Sequence, residues 1–379
     1  VVFSHLFQRL SMTGQPGWLE AVQGAMMKGA YGVSVFFVLS GMLLSLPFWK
    51  AYRQGAAFPP IGHYVRRRAA RIVPGFYASL VVSFVVSLVI FPDAPAQYLR
   101  LLAGMTFTAG FFPLTFFPTE SNGPLWSISL EVFSYVLMPL FMLGLFALVK
   151  RGPLRGKRIG GWYWLLAFAV VIGLNQVVIT VFTTGGPDKG WQFGQVGGAK
   201  EWLYWYNPVG FFAHFCMGIC AAGVITWWAA RGGRRLWRFD ALAAAALVAL
   251  AALVWVTRFP KEPAHYGNFQ NQPYLFPAVA GVTAIALVGL AYSRVLGRIM
   301  DNRFARYTAT ISFGIYIWHY LILHVVSYLT EGEFEYGGVT DPWRLLAMSV
   351  VVLGLTYGVA TLSWRWIERP ALRSTGATR

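Results

Sequence analysis

Long apolar runs recur along the chain, separated by short polar segments. They lie at 30–47, 76–91, 125–149, 162–183, 208–230, 239–257, 274–293, 309–329 and 345–366. Each approaches the roughly 20 residues that a helix needs to cross a bilayer. The opening stretch at 1–8 reads as the second half of one more span, so the first helix is expected to be truncated. The pattern predicts an all-α polytopic integral membrane protein with about ten transmembrane helices. The run 99–117 is also apolar, but Gly104, Gly110 and Pro113 interrupt it, and we read it as a re-entrant or interfacial segment. The longest connections, 9–29, 48–75, 92–124 and 184–207, leave no room for a soluble domain, so residues 1–379 are expected to form a single membrane-embedded domain.

Composition agrees with this reading. Hydrophobic residues make up 57% and charged residues only 12%. A water-soluble fold this apolar would expose large greasy patches, whereas lipid-facing helices remove the conflict. The net charge of +17 would point to nucleic acid in a soluble protein. Here most of the 31 Lys and Arg fall in 48–75, 150–161, 231–238, 294–306 and 365–379, while Asp240, Asp301 and Glu368 are the acids on or beside those segments. This is the positive-inside pattern. It predicts a multi-pass protein of the cell membrane with cytoplasmic basic loops, lipids around it and no nucleic acid as partner. Making 99–117 a crossing would invert every later loop and break the pattern. Cys216 and Cys220 sit one turn apart, a spacing ill suited to a disulfide, and read as packing residues.

Candidate chemistry then stands out against the apolar background. His5 lies in the first stub, where an imidazole near neutral pH suits general-base work on a hydroxyl. Ser34 and Ser40 are polar positions in an apolar helix, and Gly32 and Gly41 permit close helix approach. Arg68 and Arg71 would share a helix face and suit bidentate phosphate recognition, and no acid lies between residues 21 and 92 to pair with them locally. Glu131 lies about 10 Å along a helix from Pro124, inside the membrane, with Tyr135 one turn on. Ser312, Tyr316 and His319 form one polar stripe, with His324 further toward the outside. On spacing alone, His5 and His324 also read as interfacial histidines, the arginines as a topology anchor and Glu131 as a structural hub. Metal binding is not expected, because no His/Cys/Asp/Glu set has zinc-like spacing.

In combination these pieces resemble the acyltransferase family 3 membrane enzymes, bacterial O-acetyltransferases that modify surface polysaccharides, peptidoglycan and some secondary metabolites. The matching pieces are Val2–His5, Gly32–Gly41, Arg68–Pro74, Trp126–Tyr135 with Pro139, Phe212–Gly218, Ser312–His319 and Ile367–Pro370, in family order along nearly the whole chain. The resemblance implies acyl transfer, with acetyl the first choice, from cytoplasmic acyl-CoA as co-substrate to a hydroxyl of a glycan or other small-molecule acceptor. It implies His5, Glu131 and Tyr135 as catalytic residues and Arg68 and Arg71 as the CoA-binding pair. Ser34, Ser40, Trp126, Tyr316 and His319 are the expected substrate-binding positions. The family often has Asp where this chain has Ser34, and usually carries an arginine before the first-span histidine that this sequence does not show. Trp191, Trp202, Tyr204, Trp205 and Tyr206 are candidates for stacking on sugar rings, or for an interface belt. Two other readings are a proton-coupled transporter using His5, Glu131 and His319 as a relay, and a non-catalytic scaffold binding anionic lipid or glycan.

Overall fold

The computed structural model describes residues 1–11, 13–151, 159–183, 203, 206–256 and 272–375. Among these residues the architecture is helical throughout. In order, the helices are α1 (Val2–Phe7), α2 (Gly17–Met27), α3 (Tyr31–Gln54), α4 (Ile61–Ile90), α5 (Gln97–Met105), α6 (Trp126–Arg151) and α7 (Ile159–Thr183). They continue as α8 (Pro208–Ala229), α9 (Trp237–Val256), α10 (Gln272–Tyr292), α11 (Leu296–Met300), α12 (Arg303–Glu331), α13 (Pro342–Ser363) and α14 (Arg369–Ser374). Eight stretches among the described residues are long and apolar enough to cross a membrane. The chain is thus an all-α, polytopic membrane protein. The predicted span at 274–293 falls on α10, and the stub at 1–8 on α1.

Sequence-local chemistry sets many of the helix ends. Asn207, Asn302 and Asp341 accept from the backbone N–H groups of Gly210, Ala305 and Trp343, and Pro208 and Pro342 occupy first-turn positions. Gly55 and Gly332 close α3 and α12 in the left-handed conformation that glycine adopts without strain.

Three stretches read as connections carry structure of their own. The segment 9–29 contains α2, whose Gln23 amide donates to the Phe7 and Leu10 carbonyls and so holds the end of α1. The basic stretch before residue 76 is helical from Ile61 and runs through Pro74, so Arg68 and Arg71 ride on a spanning helix rather than a loop. The segment after α4 does not cross. Its α5 is only nine residues long, and the chain then dips between the helices. Asn122 donates to the Ile317 carbonyl, midway along α12, at 2.9 Å and to Ser83 Oγ, in the last third of α4, at 3.0 Å. Buried Arg100 staples the dip by bonding the Phe117 carbonyl at 2.7 Å and Glu120 at 2.6 Å. Residues 99–117 thus form no spanning helix, as expected of a re-entrant or interfacial segment, and α6 starts beside the midpoint of α12.

The basic ends of the helices gather on one side. Arg53 at the end of α3 donates to the Gly223 carbonyl and Thr226 Oγ1 near the end of α8. Asp240 at the start of α9 accepts from the backbone N–H groups of Arg294, Val295 and Leu296. Arg71 of α4 reaches Thr310 of α12 and Glu368 beyond α13. On the opposite side, residues 8–11 pair with 337–339, through Gly337 N–H to Gln8 O, Val339 N–H to Arg9 O and Ser11 N–H to Val339 O.

The core centres on α3 and α8, which approach backbone to backbone. A methyl group at Gly41 would run into the Phe215 carbonyl, and one at Gly218 into the Val38 carbonyl. Small residues at such crossings allow the close van der Waals packing that drives helix association in lipid. Gly32 has a similar role against Val1, where an added Cβ would lie 2.9 Å from the valine methyl. Cys216 and Cys220 are free thiols on α8, Cys216 buried in this core.

Candidate active site

Two polar clusters lie inside the bundle. The first joins α1 to α12. His5 Nδ1 is 2.8 Å from His319 Nε2, and the two rings are nearly parallel. His319 Nδ1 faces the Tyr316 carbonyl at 2.7 Å and the Ile315 carbonyl at 3.1 Å, both in its own helix. Carbonyl oxygens only accept, so the proton of a neutral His319 sits on Nδ1 and its Nε2 is an acceptor. His5 Nδ1 must then be the donor. The lone pair of His5 is left on Nε2, and the residue as a whole is half-buried. Tyr320 sets its ring edge-on to His5, with centroids 4.7 Å apart, and its hydroxyl is 2.7 Å from that of Tyr336.

A buried arginine braces this cluster. Arg9, wholly inaccessible, pairs with Glu331, donates to the Glu335 carbonyl and lies 4.6 Å over the Phe334 ring. Phe334 stacks in turn on His324 at 3.9 Å. His324 is therefore buried and packed within the protein.

The second cluster lies on the side of the basic helix ends. Glu131 is buried and accepts from the Tyr135 hydroxyl one turn along α6. Ser40 of α3 lies beside the carboxylate, and the charges of Arg68 and Arg71 act on it. Its Oε2 is buried and accepts no hydrogen bond from the described residues. The Tyr64 hydroxyl donates to the Tyr135 carbonyl at 3.0 Å, which ties α4 to α6. Arg71 has a carboxylate partner after all, in Glu368 at 3.2 Å, and its guanidinium lies 5.1 Å over the Trp364 ring. Half-buried Arg68 has no hydrogen bond or ion pair among the described residues.

The predicted residues sort unevenly between these clusters. His5 and His319 meet, as do Glu131, Tyr135 and Ser40, with Arg68 and Arg71 near enough for their charges to act on Glu131. Glu131 does not touch His5, and it sits level with the arginines, on the basic side rather than near the outer end. Ser34 joins neither cluster; its hydroxyl is 2.9 Å from His214 Nδ1 on α8. Trp126 is buried in an aromatic packing group, stacked 5.2 Å from Phe116 and edge-on to Tyr206 and Phe211. Tyr206 is thus a core residue, which removes it from the sugar-stacking candidates; Trp191, Trp202, Tyr204 and Trp205 lie outside the described residues. Ser312 is exposed and bonds the Ala309 carbonyl of its own helix, so the stripe on α12 shrinks to Tyr316 and His319. Not singled out from the sequence were Arg9, His214, Tyr320 and Asn122. Arg9 and Asn122 sit in stretches read as connections, where polar residues carry no signal.

Comparison with known proteins adds an independent line. Residues 1–361 match the acyltransferase 3 family model, described as an acyltransferase domain. The chain is 25% identical over 374 residues to the peptidoglycan O-acetyltransferase OatA of Listeria monocytogenes serovar 1/2a, an alignment covering 92% of this chain and 52% of that protein. It is 24% identical to the acyltransferase MdmB of Streptomyces mycarofaciens, covering 93% of this chain and 83% of the other. Nodulation protein 10 of Rhizobium leguminosarum bv. viciae is 24% identical, with 98% and 90% covered. The chain spans about half the length of the Listeria protein. No solved structure matches it.

Proposed function

Because this chain belongs to the acyltransferase 3 family, we propose that it is a membrane O-acyltransferase using an acyl-CoA donor. The donor, acetyl-CoA in the first instance, binds on the basic side, and the acceptor is a hydroxyl of a glycan or other small molecule. The basic side is the cytoplasmic face of the cell membrane, where the positive-inside rule puts it. The relatives named for peptidoglycan O-acetylation support a polysaccharide as acceptor. The observation that carries the reading is the His5–His319 pair, whose hydrogen bonds leave the His5 Nε2 lone pair free.

In this reading His5 Nε2 takes the proton of the acceptor hydroxyl as the hydroxyl oxygen bonds to the acyl carbon. The carbon–sulfur bond then breaks, and His5 returns the proton to the leaving thiolate. An ester and a free thiol result, with no net change in protons. His319 acts as a positioning residue: its Nε2 accepts from His5 Nδ1–H, holds the ring and eases the positive charge that builds there. The second cluster fits the donor. Arg68, unpaired among the described residues, offers a guanidinium to phosphate, with exposed Arg66 and Arg67 beside it on α4. The buried Glu131 Oε2, which accepts no hydrogen bond among the described residues, would be an acceptor for an amide N–H of the donor's arm once the donor opens the site beside Ser40.

The test is acyl transfer by the purified chain, read by mass spectrometry of glycan acceptors after incubation with acetyl-CoA. His5→Ala is expected to lose roughly 10²–10⁴-fold in turnover with the fold intact. Near-normal turnover would remove His5 as the base. Loss of acyl-CoA binding in the Arg68→Ala, Arg71→Ala double variant is expected alongside.

A further inference from the structure

One layer of side chains separates the carboxylate cluster from the histidine pair. Three helices build it at a common height: Phe36 from α3, Ser127 from α6 and Tyr316 from α12. The Tyr316 hydroxyl is 2.6 Å from Ser127 Oγ and donates to the Pro124 carbonyl at 3.0 Å. The Tyr316 ring lies parallel to that of Phe36, 5° between planes and 6.5 Å between centroids. Each member stands one turn from a cluster residue. Phe36 precedes Ser40, Ser127 precedes Glu131, and Tyr316 precedes His319. At 1.5 Å per residue, the steps from Glu131 to Ser127 and from Tyr316 to His319 together span about 10 Å. In the acyl-transfer reading, a group passing from the donor cluster to His5 passes this layer.

The two rings are held differently. Tyr316 is fixed by two hydrogen bonds. Phe36 has no hydrogen bond to hold it; its ring meets those of Tyr316 and, at 6.2 Å, Phe37, and 40% of its surface is accessible. It is therefore a large apolar side chain with an open face beside a rigid one. In the acyl-transfer reading, an acyl group whose thioester carbon lies near His5 sits next to this layer, and a longer tail competes with the Phe36 ring for room. An overfilled apolar site rejects extra methylenes, and a fitted one gains from them. One methylene in such a pocket changes kcat/KM by roughly 10–200-fold.

We propose that Phe36, set against the fixed Tyr316 ring, limits the length of the acyl chain this protein transfers. The inference rests on the acyl-transfer reading above. The experiment measures kcat/KM of the full chain with acetyl-CoA, butyryl-CoA and hexanoyl-CoA, for the parent, Phe36→Ala, Phe36→Trp and Leu43→Ala. All variants are first checked for monodisperse elution in detergent. The parent is expected to prefer acetyl over hexanoyl. Phe36→Ala should raise the hexanoyl-to-acetyl ratio at least about ten-fold while acetyl transfer stays within a few-fold of the parent. Phe36→Trp should lower the butyryl-to-acetyl ratio. Leu43→Ala, an exposed position two turns along the same helix, should leave both ratios unchanged. A parent that takes hexanoyl as readily as acetyl overturns the proposal. So do unmoved ratios in both folded Phe36 variants, or an equal shift in Leu43→Ala. A parent that moves no acyl group from any of the three thioesters overturns the acyl-transfer reading itself, a result separate from all of these.

Discussion

At the scale of single residues, the proposed function gives the histidine pair and the carboxylate cluster different jobs, and the difference is measurable. His319 has its Nδ1 tied to two backbone carbonyls of α12, so its Nε2 presents a fixed acceptor to His5. A glutamine at 319 loses that fixed ring geometry. His319→Gln is expected to lower kcat about 10²-fold or more with little change in KM for acyl-CoA, since the proton-accepting step suffers and donor contacts do not. Glu131→Gln keeps the shape but removes the charge that Tyr135 and the arginines attend. It is expected to raise KM for acyl-CoA by roughly ten-fold, the worth of one hydrogen bond to a charged group, with a smaller effect on kcat. Steady-state kinetics of the two variants distinguish the roles; the reverse split would exchange them. The residue types were legible beforehand, because an imidazole or carboxylate in an apolar run is costly unless it is used. The pairings were not. His5 and His319 are 314 positions apart, and Arg71 and Glu368 are 297 apart. Nothing local links them.

At the scale of helices, the geometry depends on a few close approaches. The α3–α8 crossing places Gly41 on the Phe215 carbonyl and Gly218 on the Val38 carbonyl, and it also brings Ser34 to His214. A methyl group at either glycine forces the helices apart. Gly41→Ala and Gly218→Ala are each expected to destabilise the detergent-solubilised protein by about 1–3 kcal/mol, read as a lowered unfolding temperature. Unchanged melting in both would show that the crossing has more slack than the backbone contact implies. The glycines were visible as permissive positions; which helix each one meets was not. The dip after α4 behaved in the same way. Gly104, Gly110 and Pro113 marked it as a poor span, and loop charge forbade a crossing. That it returns beside the midpoint of α12, where Asn122 bonds α4 and α12, depends on polar groups far away in sequence. The dip is why Glu131, early in α6, lies beside arginines near the start of α4.

At the scale of the whole molecule, the basic helix ends meet on one side and the Arg9–Glu331 brace lies on the other. In a background of Cys216→Ala and Cys220→Ala, Arg234→Cys is expected to react with a membrane-impermeant maleimide only after the cytoplasmic face is opened. Glu333→Cys should react in intact cells. Labelling of both from one side would overturn the proposed orientation. Apolar runs, loop charges and helix caps act over a few residues, against lipid and water. They suffice for the helices, for the all-α membrane class and for the sorting of basic and acidic ends. They also expose the polar residues that a bilayer would otherwise exclude. What they leave open is which face meets which, since every lipid-facing stripe looks alike to the solvent. Tertiary packing alone brought His5 to His319, separated Glu131 from both, and set Phe36 and Tyr316 between them, because those contacts are made across helices whose order in space no local pattern encodes.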